Sequence, residues 1–274
     1  MGQLKQPYKV LVEPRGSLLV ADGQSGRIVR VNPETGERTI YARGLGRVYD
    51  LAYGPGGRLY AAAGSRILRF TGRKEHVVAR GLKYPSGVAV APNGTMYAVE
   101  TSRNRVLRFT VGMRKRVVIA STGLDQPLGI ARSTDGALYV ADSHHGRVVR
   151  IGAGGSLEPV ATGIELPVSI TAEPDGSLLI VDHVRHDQPG KILRRLRDGT
   201  LRTISSGSIM ALSSADVAPG GTTYATSFLA PFLGRVDAEG RLRPLGTAAH
   251  SDLRAAMKVA RVDRATGALT KVSR

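Results

Sequence analysis

The sequence predicts an all-β protein, a six-bladed β-propeller of four-stranded antiparallel blades, and three observations carry that prediction. A pattern of short apolar segments recurs about every forty residues along the chain. Each copy contains a glycine-bearing turn, and each holds four strand-like pieces. A repeat of this length with Gly-rich turns is typical of propellers, in which radial repetition leaves only short, protected strand edges.

The clearest copy begins at Pro127 and runs through an Asp-Gly turn to Asp142, followed by the third strand, Arg147–Ile151. From Glu100 to Asp142 is 42 positions, and from Asp142 to Asp182 is 40. The spacing of these acidic residues, each at the end of a second strand, therefore defines the length of the repeat.

The other copies keep the same order of first strand, turn, second strand and third strand. In chain order, the aligned segments are Glu13–Asp22 with Gly26–Val31, Asp50–Ala63 with Arg66–Phe70, Pro85–Glu100 with Arg105–Phe109, Pro127–Asp142 with Gly146–Ile151, Pro167–Asp182 with Lys191–Arg194, and Asp216–Thr226 with Gly234–Asp237. We expect the propeller to span residues 1–246. The tail, residues 247–274, is then either an added hairpin or a segment that helps to close the ring.

Composition narrows the class of protein. The 274 residues carry a net charge of +17 and no cysteine, so disulfides and thiolate chemistry are excluded. The first ten residues contain no apolar signal segment, and no apolar run reaches the length of a membrane span. These features favour a cytoplasmic protein with affinity for acidic partners.

The copies resemble NHL repeats, on the pattern Pro-x-Gly-Ile-Ala, then Asp-Gly-x-Leu-Tyr-Val-Ala-Asp, then Gly-Arg-Val-x-Arg-Ile, seen in full at residues 127–151. The resemblance extends to about residue 246. It implies the propeller fold, which lyases, lactonases, strictosidine-synthase-like enzymes and binding modules share.

Gluconolactonase-type propellers hold a divalent metal at the channel axis with Glu, Asn and Asp side chains. The resemblance aligns those positions here with Lys9, Asp50, Gly87, Gly129, Ser169 and Asp216. Only the two Asp match in type. Virginiamycin B lyase, a looser relative, has repeated Trp-containing strands, and this chain has no Trp.

Lys9, Asp50 and Asp216 form the first candidate site, at the entry to the channel. They are predicted to act as an acid/base or substrate-orienting trio. The alternative is a structural ion-pair cluster in which one cation offsets two buried carboxylates.

A second group comprises the acids that end the second strands, Asp22, Glu100, Asp142 and Asp182. Arg or Lys follows each one, at Arg27, Arg105, Arg147 and Lys191. Because the pairing recurs in blade after blade, it predicts a structural clasp rather than a single catalytic device. Blade two lacks the acid, having Ala63 there.

Four of the six histidines fall in two neighbouring loops, His144 and His145 in blade four and His183 and His186 in blade five. Imidazole can act as a general base near neutral pH or bind a transition metal. We predict these histidines as catalytic. A divalent metal is the candidate cofactor, with His144, His183, His186, Asp142 and Asp182 as its candidate ligands. Solvated loop histidines are the alternative.

Aromatic side chains complete the predicted site. The blade-six loop, residues 227–234, is rich in apolar residues and predicts an exposed patch that walls a pocket. Tyr49, Phe228 and Phe232 are the predicted substrate-binding side chains.

Denser basic runs lie at residues 73–74, 114–116 and 194–197, on the opposite face from the histidines. They suggest RNA or another polyanion as a partner, although few aromatic residues lie near them for base stacking. The leading prediction is a small-molecule lyase or hydrolase-like enzyme acting in the axial channel. The alternative is a non-catalytic scaffold that binds a protein or polyanionic partner.

Overall fold

The computed structural model describes residues 3–110, 116–183, 188–228, 232–245, 261–262 and 269–270. These residues form six four-stranded antiparallel sheets and one two-stranded sheet. The predicted fold class is confirmed, since the protein is a six-bladed β-propeller. No helix within the described ranges is long and apolar enough to cross a membrane.

Each blade consists of four consecutive strands, ordered from the channel outward. Blade one comprises β1 (Pro7–Val12), β2 (Leu18–Asp22), β3 (Arg27–Val31) and β4 (Arg38–Ala42). Blade two comprises β5 (Val48–Tyr53), β6 (Leu59–Ala63), β7 (Arg66–Thr71) and β8 (Lys74–Ala79). Blade three comprises β9 (Pro85–Val90), β10 (Met96–Glu100), β11 (Arg105–Phe109) and β12 (Val117–Ala120). Blade four comprises β13 (Pro127–Arg132), β14 (Leu138–Asp142), β15 (Arg147–Ile151) and β16 (Leu157–Ala161). Blade five comprises β17 (Pro167–Ala172), β18 (Leu178–Asp182), β19 (Pro189–Arg195) and β20 (Leu201–Met210). Blade six comprises β21 (Leu212–Val217), β22 (Thr223–Ser227), β23 (Phe232–Val236) and β24 (Leu242–Pro244).

In blades one to five the second strand is largely apolar because both of its faces are buried. In β2, Leu18 and Val20 pack against blade six, whereas Leu19 and Ala21 pack against blade two. Successive residues of a strand point to opposite faces, so one run serves two interfaces. The six apolar clusters of the core lie between successive blades in this way.

The ring closes between blades one and six without a strand exchanged between them. Ser213 Oγ donates a hydrogen bond to the Pro7 carbonyl at 2.8 Å, and Asp216 Oδ2 accepts one from the Val12 N–H at 2.7 Å. Blade six draws all four of its strands from residues 212–244. The described tail residues form β25 (Arg261–Val262) and β26 (Leu269–Thr270), which pair with each other, and the expected boundary at residue 246 and role of the tail stay predictions.

Every innermost strand is irregular near its start. The pairing ladder skips the second residue of the strand in each blade, so that residue has no partner opposite it. Such a β-bulge re-aims a side chain away from the sheet. The six skipped positions, called here the bulge ring, are Tyr8, Tyr49, Ser86, Leu128, Val168 and Ser213.

Candidate functional site

A cavity of about 280 Å³ opens at the end of the channel where the innermost strands begin. We call it the mouth cavity. All six residues of the bulge ring line it. The other lining residues are Lys9, Asp50, Tyr84, Gly129, Ile130, Leu166, Ser169, Ile170, His183 and Phe228.

Aromatic rings from five blades form an arc around the cavity. Tyr84 meets Tyr49 edge to face, with ring centroids 4.8 Å apart, and Tyr49 lies 5.9 Å from Tyr8. Tyr8 stacks on Phe228 at 5.9 Å, and Phe228 stacks on His183 at 5.1 Å. Among the described residues that line the cavity, those of blade four are Leu128, Gly129 and Ile130, none of which carries a ring. The cavity thus has an aromatic side and an aliphatic side, an arrangement suited to a flat or apolar ligand.

Lys9 and Asp50 lie in the wall of the cavity, beneath the arc. Lys9 Nζ is 3.7 Å from Asp50 Oδ1, and both side chains are about nine-tenths buried. Asp50 Oδ2 accepts a hydrogen bond from the Val88 N–H of the next blade at 2.8 Å. Burial raises the pKa of Asp50, and the neighbouring Lys9 ammonium opposes that rise. The same carboxylate therefore braces two blades and faces the ligand space.

Asp216 lies deeper than the sequence alignment placed it. Lys9 and Asp50 pair with Ala21 and Ala62, the penultimate residues of their second strands, but in blade six the residue in that register is Ser214. Asp216 is two residues further along the strand and does not line the cavity. The alignment failed because it treated blade six as starting at Asp216, whereas β21 starts at Leu212.

The charge of Asp216 still acts on the site. Burial raises the pKa of Asp216, and Lys9 opposes the rise, as it does for Asp50. One ammonium therefore lies between two buried carboxylates. The charges of Lys9, Asp50 and Asp216 therefore act on one another, but Asp216 lies one layer deeper than the other two and does not form a ring with them.

Gly87 and Gly129 occupy the register of Lys9 in blades three and four. A Cβ added at Gly87 would lie 2.9 Å from the Leu128 carbonyl oxygen, and one at Gly129 would lie 3.0 Å from Ser169 Cα. Real Cβ atoms do not approach so closely without displacement of a neighbour. Glycine at these positions therefore lets adjacent innermost strands approach each other, a structural reason for its recurrence.

His183 is the histidine that the structure places in the cavity wall. Its side chain is buried, its ring is parallel to that of Phe228 within 5°, and its Nδ1 lies 2.9 Å from the Leu212 carbonyl oxygen. Because a carbonyl only accepts, Nδ1 carries the proton in that hydrogen bond. In the neutral ring Nε2 then holds the lone pair, the form a general base requires.

His144 and His145 do not line the cavity. Both side chains are close to half exposed. His144 Nδ1 is 3.6 Å from Asp125, and His145 Nδ1 is 2.9 Å from Asp142 Oδ2. His186 lies outside the described residues, as does Asp187 beside it.

Three of the four predicted clasps are confirmed, those of Asp22, Glu100 and Asp142 with their arginines, and the pairing of Asp182 with Lys191 stays a prediction. Asp22, fully buried, accepts hydrogen bonds from the backbone N–H groups of Lys5 and Gln6 and from Arg27 Nε. Glu100 and Asp142 repeat this arrangement with the loop before their own blade's first strand and with Arg105 and Arg147. Asp182 likewise accepts from the Leu166 N–H at 2.9 Å. Each acid fixes the loop that leads into the channel.

A metal at the axis, as in gluconolactonase-type propellers, does not fit these residues. The register of Lys9 holds one carboxylate, one ammonium, two glycines and two serines. Among the described residues, no group of three or more His, Asp or Glu side chains is close enough to hold a metal ion. Asp142 and Asp182 accept hydrogen bonds in their clasps. The predicted set that includes His186 stays a prediction.

The blade-six loop is less exposed than predicted. Phe228 lines the mouth cavity, as proposed for a substrate-binding residue, and so does Tyr49. Phe232 instead starts β23 and is buried in the core between blades five and six, and Leu233 is buried between blades six and one. The reason is that the strand begins two residues earlier than the Gly234 at which the repeat pattern resumes. Leu229 lies outside the described residues.

Sequence reasoning missed Tyr8 and Tyr84. A signal for Tyr8 was present, because Tyr8 and Tyr49 stand immediately before Lys9 and Asp50 in equivalent repeats. Tyr84 directly precedes its strand and reaches the cavity from a left-handed backbone conformation, with φ of 52°. That conformation is uncommon for a residue other than glycine, and the repeat pattern does not predict it.

The fold is that of a six-bladed β-propeller, and one segment of the chain matches a known repeat family. The family model of the NHL repeat matches residues 124–151, which is the copy that also reads most clearly by eye. The resemblance to NHL repeats is thereby confirmed.

Solved structures similar to this chain include several propellers. Virginiamycin B lyase from Staphylococcus aureus is 20% identical, covering 91% of this chain and 87% of that chain, with a TM-score of 0.64. A gluconolactonase from Xanthomonas campestris is 17% identical, covering 84% and 85%, with a TM-score of 0.70. A chain of the nidogen/laminin complex is 19% identical, covering 84% and 93%, with a TM-score of 0.70. These likenesses establish the fold.

Among curated proteins, the chain is similar to peptidyl-glycine alpha-amidating monooxygenases A and B of Xenopus laevis. It is 28% and 30% identical to them over 128 residues, or 40% of this chain. The match spans only 14% and 15% of the length of those relatives. Their likeness therefore concerns one part of a much longer protein.

Proposed function

We propose that this protein is a lyase or hydrolase-like enzyme that acts on a small molecule bound in the mouth cavity. His183 is the general base. The observation that carries the proposal is the hydrogen bond from Nδ1 to the Leu212 carbonyl, which leaves the lone pair on Nε2 in a buried wall of the cavity. Stacking on Phe228 holds the plane of the ring.

The same base serves either reaction. In a lyase, Nε2 removes a proton from the carbon next to a carbonyl group. The carbon–oxygen bond on the following carbon, β to the carbonyl, then breaks, which leaves a carbon–carbon double bond. The imidazolium protonates the departing oxygen. In a hydrolase, Nε2 removes a proton from water, which attacks an ester carbonyl. The acyl carbon–oxygen bond to the alcohol then breaks, and the imidazolium returns its proton to the departing alkoxide. Lys9, held by Asp50, can orient the substrate by donating a hydrogen bond to its carbonyl oxygen. Neither route requires a metal.

The likeness to virginiamycin B lyase and to a gluconolactonase, which are enzymes of these two types on the same fold, adds support. Virginiamycin B, gluconolactone and phenyl acetate are therefore the first substrates to test. Incorporation of labelled oxygen from water into the product identifies hydrolysis. An unsaturated product without label identifies elimination.

His183→Asn is the decisive variant, and His145→Asn is its matched control outside the cavity. We expect His183→Asn to lower kcat at least about a hundredfold, the usual contribution of a general base, and His145→Asn to leave kcat within about twofold. Equal rates for the two variants would remove His183 from the mechanism. Absence of turnover across the three substrates would favour the scaffold alternative.

That alternative has its own support. The chain of the nidogen/laminin complex shares the fold, and this chain carries a net charge of +17. Arg194, in one basic run on the opposite face, is already paired with Glu173 at 2.8 Å, which lowers its value for binding RNA there. Binding of an oligoribonucleotide that weakens steeply with salt would support a polyanion partner.

A further inference from the structure

The rim of the mouth cavity carries a cation that the repeat does not explain. Arg47 immediately precedes β5, in the position that Tyr84 holds before β9 and Leu166 before β17. Tyr84 and Leu166 both line the cavity. Arg47 holds the equivalent position and lies two residues before Tyr49, which lines the cavity, although Arg47 itself is not one of the lining residues. Its side chain is exposed, and within the described residues it has no ion-pair partner.

Three tyrosine side chains meet beside Arg47. The rings of Tyr8, Tyr49 and Tyr84 are in contact in series, at 5.9 and 4.8 Å. Burial raises the pKa of Tyr8 and of Tyr84. The Arg47 guanidinium acts on both hydroxyls in the opposite sense, and Tyr49 raises the pKa of each a little further. The phenol groups of Tyr8 and Tyr84 and the guanidinium of Arg47 therefore lie close enough for their charges to act on one another.

Beneath the aromatic arc, acidic side chains outnumber basic ones, in contrast to the positive charge of Arg47. Asp50 and Asp216 supply two carboxylates against the single ammonium of Lys9, so an anion is disfavoured there. At the rim, the loops of blades one to three expose Lys5, Lys83 and Arg47, while their acids Asp22 and Glu100 are buried in clasps. A ligand with one anionic end would thus be held with that end outward.

We propose that the mouth cavity binds a small molecule with a flat apolar ring and one carboxylate or phosphate group, the ring lying against the aromatic arc and the anion bound at the rim by Arg47 and the tyrosine hydroxyls. The arginine fork and phenol O–H groups are suitable donors to either anion. This assignment of ligand class rests on the proposed function, because it concerns the same cavity.

Four ligands with the same phenyl ring test the proposal: phenylacetate, phenyl phosphate, phenylacetamide and benzylammonium. Affinities are measured by calorimetry at low and at high salt. We expect at least one anion to bind about tenfold more tightly than the neutral amide, with the advantage reduced by salt, and benzylammonium to bind most weakly. Which anion binds better distinguishes a carboxylate ligand from a phosphate ligand.

Arg47→Gln should reduce the affinity for the preferred anion about tenfold and leave phenylacetamide unchanged. Arg58→Gln, an exposed arginine in the turn between β5 and β6 at the other end of the blade, removes the same charge and should have no such effect. Tyr8→Phe keeps the ring and removes the hydroxyl, so it should weaken only the anions.

Phenylacetamide binding as tightly as both anions would overturn the proposal, as would equal losses in Arg47→Gln and Arg58→Gln, or no binding of any of the four. His145→Asn, whose side chain lies outside the cavity, should leave these affinities within about twofold, and the affinities are measured apart from turnover. Failure of the ligand class is thereby separated from failure of the proposed catalysis.

Discussion

The imidazole of His183 lies parallel to the phenyl ring of Phe228, with centroids 5.1 Å apart and an angle of 5° between the planes. Phe228 itself stacks on Tyr8 across the junction between blades six and one. The orientation of the base in blade five therefore depends on side chains from two other blades.

Replacing Phe228 with Leu should release the ring of His183 without unfolding the protein. We expect the His183 side-chain signals in NMR spectra to broaden or shift and, under the proposed function, kcat to fall about tenfold. Phe70→Leu, a fully buried change between blades one and two, is the control. It should lower stability by about 1 kcal/mol and leave the His183 signals in place. Unchanged His183 signals in Phe228→Leu would show that the stack does not orient the base.

The clasp at Asp22 should contribute strongly to the free energy of unfolding of the propeller. Asp22→Ala leaves Arg27 and two backbone N–H groups without their acceptor in a buried place. We expect a loss of about 3 kcal/mol in the free energy of unfolding, measured by urea titration. Asp125→Ala, a carboxylate that is 46% exposed beside His144, should change it by less than about 0.5 kcal/mol. Similar losses for the two variants would show that the clasp stabilises the protein no more than an exposed carboxylate does.

The free energy of unfolding should depend on pH through Asp50. Its pKa is raised in the folded state by burial, so the folded protein binds more protons than the unfolded chain above the ordinary value of 3.8. This contribution to stability is complete below that value and is lost as pH rises through the raised pKa. Asp50→Asn should flatten the difference between pH 4 and neutral pH, as measured by urea unfolding across pH.

Direct titration of the Asp50 carboxyl by carbon NMR provides the check. A pKa at or below 3.8 would contradict the expected direction and would mean that Lys9 outweighs burial. Lys9→Met should raise the pKa of Asp50 further, because it removes the largest of the effects that oppose burial.

Substituting Gly129 with Ala should force blades four and five apart. The added Cβ would lie 3.0 Å from both Ser169 Cα and the Val168 carbonyl oxygen, which are backbone atoms that yield only if a strand moves. We expect a loss of about 1–3 kcal/mol in stability by thermal or urea unfolding. Gly220→Ala, where nothing lies within 4 Å of the new atom, is the matched control. A neutral Gly129→Ala would show that the strands are not in tight contact.

The repeat was sufficient to predict the fold, because periodic apolar runs and turns dictate the strands of every blade. It was also sufficient for the clasps, since Asp22, Glu100 and Asp142 recur with their arginines. It failed in blade six, where the pattern before Asp216 is weak and the start of β21 depends on contacts with blade one. Phe232 was misplaced for the same reason.

The site depended on information that a repeat alignment does not contain. His183 and His145 occupy similar loops, yet only His183 turns inward, because its Nδ1 meets the carbonyl of the next blade. Tyr8 could have been found from its equivalence to Tyr49. Tyr84 could not, since its approach depends on a backbone conformation at one residue.

The bulge ring has a practical consequence. Its two serines also join neighbouring blades, because Ser213 Oγ donates a hydrogen bond to the Pro7 carbonyl and Ser86 Oγ donates one to the Leu128 carbonyl. The other four positions, Tyr8, Tyr49, Leu128 and Val168, line the cavity with aromatic and aliphatic side chains. A library that varies these four residues alone would change what the cavity accepts and would keep both of those hydrogen bonds between blades. Ligand preference can in this way be altered at positions other than those that close the ring.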